Sequence, residues 1–215
     1  MIETMKTGID GLDEILNGGI VTNSTTLVSG NPGAGKSIFC LQFIYNGFKH
    51  YDERGIYLSF EEDARDLREA AESLGLDEWG EYVESGAIKV YDKQELLREN
   101  DFSSSLDLLL GDIEDAEYDR LVLDSLAMFE LFFEDETEKR TYLLKFTDIL
   151  QQNGLTTLMT NEQGAVFPET EIGLENFLTD ANIYLIQTPT DTGVNRYVWV
   201  AKMRKQNIEI GRAHV

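Results

Sequence analysis

Several kinds of residue are scarce in this chain, and each shortage excludes a class of function. One cysteine, Cys40, excludes an internal disulfide and any cysteine-rich metal site. The two histidines, His50 and His214, stand far apart and point to neither a metal site nor a catalytic triad. Three prolines and no Ser/Gly-rich run leave no linker, so residues 1–215 read as a single α/β domain. No window approaches the roughly 18 apolar residues of a membrane span. The opening Met1-Ile2-Glu3-Thr4 lacks the basic and apolar regions of a signal peptide, which predicts a cytoplasmic protein. Positive charge is scarce relative to negative: 18 Lys and Arg against 40 Asp and Glu give a formal net charge of −22. Such a surface repels nucleic acid at ordinary salt, so nucleic acid is an unlikely partner. Acidity spread along the whole chain is also the composition a saline cytoplasm favours, where that repulsion would be screened.

Against this background stands Gly30-Asn31-Pro32-Gly33-Ala34-Gly35-Lys36-Ser37, a glycine, four residues, then Gly-Lys-Ser. Glycines let backbone N–H groups turn inward around phosphate oxygens, the lysine adds a point charge, and the serine hydroxyl can ligate Mg²⁺. The pattern is short, but its setting fits. Thr25 to Ser29 reads as a buried strand feeding the loop, and Ile38 to Ile44 reads as a helix whose N-terminus points at the phosphates. Cys40 falls on the core-facing side of that helix. The loop predicts a bound nucleotide and Mg²⁺.

The rest of the chain alternates strands with helices. Ile9, Leu12, Ile15 and Leu16 share one face of a short lid or packing helix ended by Gly18-Gly19. Strands are predicted at 55–60, 88–91, 120–125 and 155–160. Helices are predicted from Leu67 to Leu74, from Ser103 to Ile113, and from Thr137 to Asn153. That alternation argues a mainly parallel sheet flanked by helices. The last quarter differs: 183–186 and 196–201, separated by Pro189 and Gly193, predict a C-terminal antiparallel hairpin, extended by a strand at 208–210.

In such a sheet ligands sit beyond the carboxyl ends of the strands. Polar residues collect there: Lys36 and Ser37, then Glu61 and Glu62, then Asp124 with Ser125, then Thr160 with Asn161 and Glu162. Asp124 can hold Mg²⁺ opposite Ser37, and a glutamate at a nearby strand end can deprotonate an attacking water. Each acid alone is an ordinary loop residue; the recurrence at strand after strand argues a site. Ile38 and Thr160 complete the expected nucleotide-binding set with Gly30 to Ser37. Lys202-Met203-Arg204-Lys205 is the densest positive cluster. Alternation along a strand would put Lys202 and Arg204 on one face, either as surface charges or as fingers reaching a γ-phosphate on another subunit.

With these residues in view, the sequence resembles the KaiC family, the circadian-clock protein and its single-domain archaeal relatives within the RecA-like ATPases. The match covers the Thr7 to Ile20 stretch, the loop, Leu41-Gln42-Phe43 with Tyr45-Asn46-Gly47, Ser59-Phe60-Glu61-Glu62, Leu123-Asp124-Ser125-Leu126, Thr157-Leu158-Met159-Thr160 and Lys202-Met203-Arg204. The resemblance implies a RecA-like P-loop core, ATP with Mg²⁺, and a hexameric ring with nucleotide between subunits. By that similarity Glu61 and Glu62 match the paired catalytic acids, and Lys202 and Arg204 match the residues reaching across the interface. The chain covers one of the clock protein's two domains, so timekeeping by domain coupling is not implied. No adjacent Ser-Thr pair follows Ser125-Leu126, so autokinase activity is not implied either. After Arg204, Lys205-Gln206-Asn207-Ile208 replaces the family's Gly-Thr-x-His.

The leading expectation is a slow, Mg²⁺-dependent ATPase with a regulatory or signalling role, acting as a ring on an unknown protein partner. A non-hydrolysing ATP-binding scaffold is the alternative, against which Glu61 and Glu62 speak, since a pure binder needs no base there. A DNA-acting recombinase paralogue is a third; it should show basic central loops, whereas Met128 to Glu138 is apolar and acidic.

Overall fold

The computed structural model describes residues 2–92, 111, 113, 117–128, 133, 135–162, 165, 166, 169, 170, 179–191, 193–207 and 212–214. In chain order the elements are β1 (Thr4–Met5), α1 (Leu12–Ile15), β2 (Ile20–Val21), β3 (Thr25–Gly30), α2 (Lys36–Tyr51), β4 (Gly55–Ser59), α3 (Ala64–Ser73), α4 (Trp79–Glu84) and β5 (Ile88–Tyr91). There follow β6 (Arg120–Asp124), a 3₁₀ turn (Leu126–Met128), α5 (Glu136–Gln152), β7 (Thr156–Asn161), β8 (Ala165–Val166), β9 (Glu169–Thr170), β10 (Ala181–Thr190), β11 (Gly193–Met203) and β12 (Arg212–His214).

An eight-stranded sheet in the order β12-β11-β10-β3-β7-β6-β4-β5 carries the architecture. Strands β10 to β5 in that order are mutually parallel, and β11 and β12 add antiparallel at one edge. The expected α/β class with a C-terminal antiparallel extension is what the chain adopts. Strands β3, β4 and β6 are buried at every position. Unbroken burial is what parallel strands covered on both faces require, and it explains apolar runs without alternation.

Alternation still decides which cover each residue meets. Val28, Tyr57, Val122, Leu158 and Ile183 pack with Phe39, Cys40, Phe43 and Ile44 of α2. Leu27, Ile56, Leu58, Leu121, Leu123 and Met159 pack on the opposite face with Leu143, Phe146 and Leu150 of α5. Helix α5 starts at Asp135, whose carboxylate accepts from the Thr137 and Glu138 amides at 2.9 Å.

The stretch Thr7 to Ile20 packs against the core: Leu12 and Leu16 are buried, and Ile9 and Ile15 lie against the same cluster. Asp13 accepts from the Thr7 amide and hydroxyl at 2.8 Å each, and Asn46 of α2 donates to the Gly8 carbonyl at 2.7 Å. Arg120 fastens the same segment from below. Its fully buried guanidinium donates to the Lys6 carbonyl at 2.6 Å, the Phe43 carbonyl at 2.8 Å and the Glu53 carboxylate. It also lies over the Phe43 ring at 4.5 Å. Burial lowers the Arg120 pKa, and Glu53 opposes that shift. Gly47 makes this possible, because a Cβ there would stand 2.3 Å from Arg120 Nε.

Some elements differ from expectation. Helix α2 begins at Lys36 and runs to Tyr51, longer than the predicted 38–44. The two-residue strands β1 and β2 pair antiparallel, and α4 follows α3; neither has enough periodicity to announce itself in sequence. Pro189 does not separate the hairpin strands. It lies inside β10 opposite Val194, beyond Leu185, the last β10 residue paired with β3, on an edge where a missing N–H costs no ladder bond. Gly111 and Ile113 are helical, and Ile113 is buried; the rest of the helix expected from Ser103 lies outside the described residues, as does the strand expected at 208–210. Among the described residues no helix is long and apolar enough to cross a membrane.

Candidate functional site

Strand β3 ends at Gly30, and the chain then wraps through Asn31 to Gly35 before α2 begins at Lys36. Gly33 and Gly35 have φ of 78° and 100°, a conformation that favours glycine, and no atom lies within 4 Å of where a Cβ would be. No side chain caps the helix, so its first N–H groups face the loop's hollow. Lys36 is 8% exposed and donates to the Gly30 carbonyl at 3.0 Å and the Asn31 carbonyl at 3.4 Å. Amide donors, a buried ammonium and glycine geometry form a cradle suited to phosphate oxygens. Gln187 of the hairpin donates to the Gly33 carbonyl, tying β10 to the loop.

The neighbouring strand ends supply the rest of the rim. Register places Thr160 beside Val28 across β3 and β7, and Asp124 beside Ser59 across β6 and β4. Asp124 is 6% exposed and is held twice: the Thr160 hydroxyl donates to Oδ1 at 2.5 Å and the Tyr57 hydroxyl to Oδ2 at 2.9 Å. Burial, reinforced by the Asp124 charge, pushes the Tyr57 phenol well up, so it stays a donor. Burial likewise pushes the Cys40 thiol up, with Asp124 adding to the shift and Lys36 opposing it. Lys36 and Asp124 are therefore both within electrostatic reach of one buried atom beneath the loop. The peptide bond between Asp124 and Ser125 is cis.

Beyond β4, the Phe60 amide donates to the Asp124 carbonyl at 2.8 Å, locking the two strand ends together. The Ser125 hydroxyl then donates to Glu61 Oε1 at 2.8 Å. Ser59 fixes Glu62 through its main chain, donating to the Glu62 carbonyl at 2.8 Å and accepting from its amide at 3.1 Å. Asp63 caps α3 by accepting from the Arg65 and Asp66 amides at 3.1 and 2.9 Å. The acidic pair is thus pinned between a strand end and a capped helix. Asp63→Ala should cost about 1 kcal/mol, read as a lower urea midpoint; an unchanged midpoint would show that the cap holds nothing.

Lys202 and Arg204 are elsewhere. Met203 pairs with Ala181, which pairs with Thr26, so this end of β11 lies at the amino edge of the parallel strands, opposite Gly30. Strand β11 ends at Met203, so alternation does not carry to Arg204. Both still converge on one segment: Lys202 Nζ donates to the Thr179 carbonyl at 2.5 Å, and Arg204 Nη1 is 3.9 Å from Asp180 Oδ1. Burial lowers the Lys202 pKa, and the Arg204 charge lowers it further. The sheet brings the loop, Asp124, Thr160 and Glu61 together and leaves this pair at the far end.

The family model for the KaiC ATPases matches residues 5–215. The chain belongs to the KaiC ATPase family. Curated relatives include the circadian clock oscillator protein KaiC of Acaryochloris marina, 30% identical over 97% of this chain and 39% of that protein. KaiC of Synechococcus elongatus is 31% identical over 97% of this chain and 40% of its own length. The chain therefore spans about two fifths of the curated relatives it matches. Among solved structures, the KaiC-like protein PH0186 from Pyrococcus horikoshii aligns with a TM-score of 0.85 and 32% identity, covering all of this chain and 94% of that one. A KaiC-like, RecA-superfamily ATPase domain that binds nucleotide accounts for the loop and the rim.

Sequence reasoning gave no role to Tyr57, Ser59 or Ser125 in this KaiC-family site. Tyr57 stands in an apolar run and reads as core. Its one signal is the two-residue spacing to Ser59, which puts both on the face of the sheet that carries Asp124.

Proposed function

We propose that this chain binds ATP with Mg²⁺ and hydrolyses it slowly, as one KaiC-like domain acting in a homo-oligomeric, hexameric ring. The role is regulatory or signalling, exercised in the cytoplasm on a protein partner. The observation that carries the reading is the rim itself, where the Lys36 loop after β3, the Thr160-bonded Asp124 and the Ser125-bonded Glu61 follow the ends of strands in one parallel sheet. The residues fit the implied groups. Backbone amides from Gly33 to Ile38 and the Lys36 ammonium would hold the phosphates. Ser37 and Asp124 would hold Mg²⁺, because one carboxylate and one hydroxyl suit a cation that takes its other ligands from phosphate and water. Bound there, the ion neutralises phosphate charge and supplies Lewis acidity.

This chain's own groups do the remainder. Tyr57 and Thr160 orient Asp124. Glu61 and Glu62 take a proton from water as its oxygen forms a bond to the γ-phosphorus and the bond to the β–γ bridging oxygen breaks. Ser125 restrains Glu61 for that task. Lys202 and Arg204 lie at the opposite end of the sheet from the chain's own loop, so only a neighbouring subunit's phosphates can meet them. That placement supports a site completed between subunits.

Phosphate release and light scattering on one set of samples, with and without Mg-ATP, test the proposal. Turnover should require Mg²⁺ and the oligomer. Glu62→Gln and Glu61→Gln should keep ATP binding, and at least one should lose about 10²-fold or more in turnover. Full turnover in both variants would remove the base assignment, and binding without any turnover in wild type would leave a scaffold.

A further inference from the structure

The turn that follows β11 is fastened on two sides, while the side chain it carries lies in the open. Arg204 comes directly after Met203, the last residue of β11, and its amide donates to the Asp180 carbonyl at 2.9 Å. Asp180 is in turn tied to the first residue of β3. Its amide donates to the Thr25 carbonyl at 2.8 Å, and its Oδ2 accepts from the Thr25 amide at 3.2 Å and from Gln151 of α5 at 3.0 Å. A run of hydrogen bonds therefore joins the central strand to the Arg204 main chain.

The second fastening comes from the N-terminal segment. Lys205 has a φ of 64°, a left-handed conformation that a residue with a side chain keeps where its surroundings hold it. Gln206 supplies the hold: its side-chain amide donates to the Leu16 carbonyl and, at 3.2 Å, to the Gly19 carbonyl. Asn17 returns a bond to the Asn207 carbonyl at 2.8 Å. The receiving turn is closely packed, since Leu16 is fully buried and a Cβ at Gly19 would stand 2.1 Å from the Met5 carbonyl oxygen. The Arg204 side chain, by contrast, is 54% exposed, and an open ion pair at 3.9 Å from Asp180 holds it only weakly. A fixed main chain with a loosely held guanidinium suits a cation that must meet an anion outside its own chain.

We propose that Gln206 is a positioning residue: by tying the turn to the Leu16 and Gly19 carbonyls it sets the direction in which Arg204 leaves the chain, so that the guanidinium reaches a phosphate bound by a neighbouring copy. The inference rests on the reading above of a site completed between subunits. Gln206 acts through Arg204 alone. Misplacing a reacting or stabilising group by about 1 Å can cost about 10²-fold in rate. Turnover is therefore the quantity that Gln206 governs, and ATP affinity is not.

Turnover at saturating Mg-ATP, ATP affinity by calorimetry and light scattering on Gln206→Ala test it. The variant should lose about tenfold in turnover, with ATP affinity within about twofold and the oligomer intact. In an Arg204→Ala background the same change should add less than about twofold, because it acts through that guanidinium. Wild-type turnover in Gln206→Ala would overturn the inference. So would a loss that multiplies in full with Arg204→Ala, or ATP affinity and assembly that fall in parallel with turnover, since either marks a merely structural role. If Gln206→Ala does not fold, Asn17→Gly decides: glycine suits the φ of 49° there, and the change removes only the bond to the Asn207 carbonyl. It should lower turnover through Arg204 in the same way, and wild-type turnover would overturn the inference. Wild-type turnover in Arg204→Ala itself would remove the reading of a shared site, and this inference with it.

Discussion

Replacing Lys36 by alanine is expected to abolish ATP turnover and to weaken ATP binding by about 10- to 100-fold, the worth of a charge-assisted hydrogen bond to a phosphate. The expectation follows from where the ammonium sits. It is nearly buried, held by the Gly30 and Asn31 carbonyls, at the mouth of a loop whose other donors are backbone amides. Amides alone can still attract an anion, so some binding should persist. Turnover should not, because the lysine is the loop's own point charge for stabilising a developing phosphate. Of its partners in the free protein, the Asn31 carbonyl lies in the loop and the Gly30 carbonyl is buried at the end of β3, so the thermal midpoint should fall only by the loss of about one buried hydrogen bond. Calorimetry and phosphate release measure the two losses separately. ATP affinity within threefold of wild type would remove Lys36 from the site.

The second large effect concerns stability and should leave nucleotide binding alone. Arg120→Leu removes a fully buried guanidinium and strands the Glu53 carboxylate, 27% exposed, together with the Lys6 and Phe43 carbonyls. Removing one partner of a buried ion pair costs about 3–5 kcal/mol. A typical domain has only about 5–15 kcal/mol in total. The urea midpoint should fall accordingly. Adding Glu53→Leu should recover part of the loss, because the unpaired carboxylate goes with it. Arg120 starts β6 and Asp124 ends it, so ATP affinity measured below the unfolding transition should match wild type. A loss under 1 kcal/mol, or full additivity of the two changes, would show that the pair is not coupled as described.

The sequence shows some parts of this fold more clearly than others, and the reasons are physical. Long elements with a strong period are plain: the α5 stripe of Leu143, Phe146 and Leu150 gives its helix to within a residue at each end. The phosphate loop is legible because its chemistry requires particular residues at fixed spacing. Asp124 is legible because a carboxylate ending an apolar strand is unusual. The groups that orient it are not: a tyrosine within a buried strand looks like core until the strand order brings its hydroxyl to 2.9 Å from that carboxylate. Local pattern also misleads at Pro189, which reads as a break because sequence does not reveal that β10 has lost its parallel neighbour by that point. Likewise, alternation predicts a shared strand face for Lys202 and Arg204, but the strand stops between them.

The strand order has a further consequence, for the time at which the site comes into being. The strand that delivers the phosphate loop, β3, is made early, yet both of its neighbours, β7 and β10, belong to the later part of the chain. A nascent chain therefore displays the complete loop sequence long before β3 has any hydrogen-bonded neighbour. Such distant parallel pairings are slow to form, because loop closure must precede the contacts that reward it. Capture of a phosphate ligand by the finished loop is accordingly expected late in folding. A ligand that binds the finished loop would act as a reporter of complete sheet assembly.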